Sequence, residues 1–164
     1  MEPDPPLREA AAARAKRLAV GAAVHVVDDD EAVRRAFGLL LRTAGLSLVL
    51  HDSAEAFLDA LSHGTGPIAC VLIDLCMPGI DGIGLVKRLR EAGFASPVIL
   101  VTARGNVPVA VRAMKEGADD IIEKPFNDEQ LCAAIAAALG CPAEARPSDT
   151  GSGARDAARA RLAT

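Results

Sequence analysis

Residues 24–35 read VHVVDDDEAVRR, an apolar run followed by four consecutive acids and then the start of a helical pattern. Like charges side by side repel, and they raise one another's pKa unless a positive charge sits among them. Two readings stand at this point. The cluster is a solvated turn that contributes one helix cap, or it is built to hold a cation.

The same strand-then-helix pattern recurs down the chain. Short apolar runs at 23–27, 46–50, 68–74, 97–102 and 119–124 predict strands. Helical patterns lie between them at 31–43, 54–62, 82–92, 106–116 and 128–139. In the first helix, Val33, Phe37, Leu40, Leu41 and Ala44 share a face. Gly45, Gly93, Gly117 and Gly140 each follow a helical run. Asn127 with Gln130 three residues later predicts a capping pair at the start of the last helix. Repeated βα units require parallel strands joined by helical crossovers. The near-continuous apolar strands predict a sheet covered on both faces. The expected fold is therefore α/β, a doubly wound five-stranded parallel sheet of the (βα)5 flavodoxin-like kind.

Length and composition fit one such domain. The chain has 164 residues, with 51% hydrophobic and 24% charged, enough for a single core. No apolar run approaches the ~20 residues of a membrane helix. Glu2, Asp4 and Glu9 argue against a targeting peptide, so a cytoplasmic protein is expected. The net charge of -4 and the absence of Trp and Tyr disfavour a nucleic-acid surface, so no direct DNA binding is expected. Cys70, Cys76, Cys132 and Cys141 lack metal-finger spacing and read as reduced, mostly buried thiols. Five of the ten prolines fall in the tails. The expected organisation is a flexible N-terminal extension over 1–21, a folded unit over 22–140 and a linker-like tail over 141–164.

In open α/β sheets, chemistry gathers at the carboxyl ends of the strands. The residues there are Asp28 and Asp29 after the first strand, Asp74 on the third, Thr102 on the fourth and Lys124 on the fifth. Hard oxygen ligands suit Mg²⁺, which takes one or two carboxylates and keeps room for phosphate oxygens. The remaining carboxylate is then placed to attack phosphorus, with Lys124 and Thr102 binding phosphoryl oxygens. Taken singly, Lys124 reads as a surface lysine and Thr102 as an ordinary strand residue. Asp30 falls outside the cation set and reads as a helix N-cap. His25 reads as a packed imidazole in the first strand.

The stretches VHVVDDDEAVRR, LIDLCMPGIDG and VILVTARGNVPVAVRAMKEGADDIIEKPF resemble the receiver domain of two-component response regulators, in its FixJ-type branch. The likeness spans about residues 23–139. It implies that Asp74 is the phosphoacceptor and that Asp28, Asp29 and the Cys76 carbonyl join it at Mg²⁺, Asp29 directly and Asp28 through water. It further implies that Thr102 is the switch hydroxyl and Lys124 the phosphate-pairing lysine, followed by a cis bond to Pro125. Arg104, like Cys76, falls at a position that varies in the family. The family's switch aromatic falls at position 121, where this chain carries Ile121, so its two-residue switch is incomplete here.

A sensor histidine kinase is the implied phosphodonor. A phosphorylation-dependent homodimer through helix 106–116 and strand 119–124 is the implied output. The tail sequence ARDAARARLAT resembles the segment that precedes a LuxR-type DNA-binding domain, so an output domain absent from this chain is expected. The chain is not expected to be an enzyme beyond assisting its own phosphorylation and dephosphorylation. One alternative is a degenerate receiver acting as a phosphorylation-independent interaction module. A haloacid-dehalogenase-type phosphohydrolase is weaker, because it needs an aspartate where Cys76 stands.

Overall fold

A computed structural model of the chain describes residues 12, 13, 15, 18–103 and 107–140, without the side chains of residues 107 and 110. Arg104, Cys141, the tail 141–164 and most of the extension lie outside the described residues. The strands are β1 (Ala23–Val27), β2 (Leu48–His51), β3 (Ile68–Asp74), β4 (Val98–Thr102) and β5 (Asp120–Glu123). The helices are α1 (Glu31–Thr43), α2 (Ala54–His63), α3 (Gly82–Glu91), α4 (Val107–Glu116) and α5 (Asp128–Gly140). All strand pairs are parallel, as the repeated βα pattern requires, and the strand order is β2-β1-β3-β4-β5.

Alternation along the strands feeds two apolar layers. Val24 and Val26 of β1, Cys70 and Leu72 of β3, and Ile99 and Val101 of β4 face Phe37 and Leu41 of α1 and Leu131 and Ile135 of α5. Val71 and Ile73 of β3 and Val98 and Leu100 of β4 face the other way, toward Phe57, Leu85, Leu89 and Ala113. Each large side chain so buried contributes roughly 1.5–3 kcal/mol.

The caps follow the sequence. Asp30 accepts from the N–H groups of Ala32 at 2.8 Å and Val33 at 3.3 Å, fixing the start of α1. At α5, Asn127 and Gln130 bond reciprocally: the Asn127 N–H donates to Gln130 Oε1 at 2.9 Å and the Gln130 N–H to Asn127 Oδ1 at 2.8 Å. Two differences from expectation go beyond a single residue at an element's end. β2 begins at Leu48 because the Leu46 N–H turns back to the Leu41 carbonyl at 2.9 Å, closing α1 instead of starting a strand. Where the sequence suggests a flexible or weakly helical extension, Ala15 and Ala19 are buried against the α1/α5 layer, their small side chains allowing close approach.

At the end of the sheet opposite the acids, Arg90 of α3 ties three segments together. Its Nε donates to the Gly117 carbonyl at 3.1 Å. Nη1 donates to the carbonyls of Phe94 at 2.7 Å and Ser96 at 2.9 Å, and Nη2 to Asp119 Oδ2 at 2.8 Å. Asp119 Oδ2 also accepts from the Val98 N–H at 2.8 Å. Gly117 sits at φ +116 with its α-hydrogen side against Arg90, where a Cβ would lie 2.7 Å from Cγ.

His25 of β1 stacks on His51 of β2, with ring centroids 5.1 Å apart and Nδ1 of His25 2.9 Å from Nε2 of His51. Phe57 packs against both rings. Burial and then the neighbouring His51 lower the His25 pKa to about 4. An unfolded histidine titrates near 6.5, so between those pH values the unfolded chain binds more protons than the folded one. The contribution of His25 is thus complete above pH ~6.5 and is lost as pH falls toward 4, on the order of 3 kcal/mol. The raised carboxylates described below act in the opposite sense, so the comparison must be differential. Urea unfolding of the parent and His25→Leu at several pH values is expected to show a shallower decline in the variant. Parallel pH profiles would contradict the assignment.

Candidate functional site

Parallel register delivers the strand-end residues to one rim. The Asp28 N–H donates to the His51 carbonyl at 3.1 Å, just past the ends of β1 and β2. Asp74 pairs with Val101, and the Leu75 N–H donates to the Val101 carbonyl at 2.9 Å. The Lys124 N–H donates to the Thr102 carbonyl at 2.8 Å, and the Lys124–Pro125 bond is cis.

Carboxylate oxygens of Asp28, Asp29 and Asp74 lie within 4.8 Å of one another. Asp28 is buried, Asp74 partly buried and Asp29 exposed. Lys124 Nζ is 3.5 Å from Asp74 Oδ1. Thr102 is buried on the same rim, its Oγ1 donating to the Ala103 carbonyl at 3.3 Å. Cys76 lies exposed two residues beyond Asp74. Ile121, at the position of the missing aromatic, packs into the layer that holds Leu100, Val109 and Met114.

Burial raises the Asp28 pKa above the usual carboxylate range, against the pull of the Asp30 N–H and of Lys124. Asp74 is raised by burial and by Asp28, with Lys124 opposing. Asp28 Oδ1 accepts from the Asp30 N–H at 2.9 Å. Its Oδ2 is buried with no hydrogen-bond partner among the described residues. A buried carboxylate oxygen left in this way costs free energy unless a cation or a proton reaches it. Three clustered carboxylates, one of them with a buried oxygen that lacks a hydrogen-bond partner, form a donor set suited to a hard metal ion.

The loop after Asp74 is pressed against it. A Cβ at Gly82 would lie 2.6 Å from the Asp74 carbonyl oxygen and 2.8 Å from Leu75 Cα, so only glycine lets α3 start there. Glu55 Oε1, from the first turn of α2, accepts from the Ile80 N–H at 3.3 Å and braces the loop from the other side.

The comparisons agree with this geometry. Residues 24–136 match the response regulator receiver domain. The chain belongs to that family. The receiver is 48% identical over 124 residues to the transcriptional regulatory protein FixJ of Azorhizobium caulinodans, covering 74% of this chain and 56% of that protein. It is 38% identical over 116 residues to the response regulator protein TodT of Pseudomonas putida, covering 71% and 50%. A crystal structure of FixJ-N superposes with a TM-score of 0.67 at 39% identity, covering 73% of this chain and 94% of that one. The receiver thus spans about half the length of the curated relatives it matches. Among its described residues no helix is long and apolar enough to cross a membrane.

Around the receiver's acids, the sequence did not disclose three supporting groups. Arg34 Nη1 donates to the Asp28 carbonyl at 2.8 Å, Glu55 holds the loop and His51 receives the Asp28 N–H. Each is an ordinary residue type on its own element. Only the tertiary approach gives it a role.

Proposed function

We propose that this receiver is a phosphoacceptor, modified on Asp74 with Mg²⁺ by a sensor histidine kinase. The observation that carries this reading is the acidic cluster with its unpaired, buried Asp28 Oδ2 beside an Asp74 already paired with Lys124.

Asp28, Asp29, Asp74 and the Cys76 carbonyl would hold the ion, which when bound supplies positive charge to the transferring phosphoryl oxygens. A carboxylate oxygen of Asp74 attacks phosphorus in line. The P–N bond of the phosphohistidine breaks, its electron pair stays on the imidazole nitrogen, and a P–O bond to Asp74 forms. Lys124, partly exposed and 3.5 Å from Asp74, neutralises charge on the product's oxygens. Thr102 is the residue on the rim able to turn its hydroxyl toward the new group and shift an equilibrium that includes α4. With Ile121 in place of an aromatic ring, the conformational response depends on Thr102 and the aliphatic packing around Val109 and Met114.

The favoured output is a homodimer through α4 and β5 that controls transcription through a DNA-binding domain outside this chain. A phosphorylation-independent interaction module is the second reading, and Ile121 is the observation in its favour. The test is chemical mapping. After incubation with Mg²⁺ and a small phosphodonor, borohydride reduction is expected to convert Asp74 alone to homoserine in the peptide map. Conversion at another aspartate, or at none, would contradict the assignment.

A further inference from the structure

The backbone of Asp28 is held on both sides. Its N–H donates to the His51 carbonyl at 3.1 Å, and its carbonyl accepts from Arg34 Nη1 at 2.8 Å. With Oδ1 fixed by the Asp30 N–H at 2.9 Å, the direction of the remaining Oδ2 is set by these three bonds. Arg34 belongs to the same helix that Asp30 caps, and its own N–H bonds to the Asp30 carbonyl at 3.0 Å. The helix therefore reaches back across its cap to grip the residue that precedes it by two.

A guanidinium next to an acidic cation site has two opposite consequences. As a charge, it repels an incoming divalent ion and weakens binding. As a hydrogen-bond donor, it fixes Asp28 and strengthens binding. Groups that orient metal ligands through a second contact typically change affinity by about 10–100-fold when removed. We infer that Arg34 is a positioning residue for the metal site, acting through the Asp28 carbonyl to aim Oδ2, and that this role outweighs its repulsion. The inference rests on the reading that the acidic cluster takes Mg²⁺.

The two consequences predict opposite signs, which makes the test decisive. Mg²⁺ is titrated calorimetrically into the full chain as parent, Arg34→Met and Arg34→Lys. Arg34→Met is expected to bind about ten-fold more weakly. Arg34→Lys, which keeps a donor, is expected to recover part of the loss. The Mg²⁺ concentration for half-maximal phosphorylation should rise by the same factor, while the rate at saturating Mg²⁺ stays within about two-fold of the parent. That split separates positioning from general damage to the fold.

Equal or tighter Mg²⁺ binding by Arg34→Met overturns the inference, tighter binding being the result of repulsion alone. If Arg34→Met shows no cooperative unfolding transition, Arg34→Gln is measured in its place against the same two results. A parent protein that binds no Mg²⁺ removes both the inference and the reading beneath it. A parent that binds normally beside an unaffected variant removes the inference alone.

Discussion

Arg90→Met is expected to lower the unfolding free energy by about 3–5 kcal/mol, a large part of what a domain of this size has. The Arg90 side chain is 14% exposed and that of its partner Asp119 only 5%, so the pair is far from the screened surface kind. Removing Arg90 takes a charge partner from Asp119 and a donor from the carbonyls of Phe94, Ser96 and Gly117. It also leaves space beside Gly117, whose missing side chain is what lets the arginine stem pass. Far-UV circular dichroism in urea provides the measurement, since the chain has no Trp or Tyr to report by fluorescence. Adding Asp119→Asn to the variant should restore part of the loss by removing the stranded charge. A drop below about 1 kcal/mol would show that Arg90 behaves as a surface residue.

Lys124→Ala is expected to slow phosphorylation by roughly 10²-fold at saturating Mg²⁺ while leaving stability within about 1 kcal/mol. The side chain is 35% exposed, and its contact in the cluster is Asp74 Oδ1 at 3.5 Å. It thus stands beside Asp74 and outside the packed core. Its ammonium also opposes the upward shift of Asp74, so the variant's carboxylate stays protonated to higher pH. The rate loss should accordingly deepen on acidification. Single-turnover phosphorylation from a small phosphodonor, followed over a range of pH, reads both effects. A rate within a few-fold of the parent at all pH values would remove Lys124 from the chemistry.

The sheet and the gathering of acids at its rim were legible because the physics behind them is local. Asp30 and the Asn127/Gln130 pair bond within three residues of themselves, and alternation along β3 shows which side chains face each layer. Strand-end position alone brought Asp28, Asp74, Thr102 and Lys124 to one rim. What stayed hidden depends on contacts between distant segments. The His25–His51 stack joins residues 26 apart, and Arg90–Asp119 joins residues 29 apart. Neither has a local pattern. The burial of Ala15 and Ala19 was hidden for a different reason, since an alanine-rich sequence shows no apolar stripe distinct from its other positions. At the site, Arg34 and Glu55 look like solvent-facing helix residues until the Asp28 carbonyl and the loop at Ile80 come within reach.

The most direct measurement is the intact mass of the protein after incubation with a small phosphodonor, with and without Mg²⁺, beside Asp74→Asn. A single phosphoryl adduct in the parent, dependent on Mg²⁺ and absent from the variant, is the predicted result. A folded parent that gains no adduct at saturating Mg²⁺, or a variant that gains the same adduct, would contradict Asp74 as the phosphoacceptor.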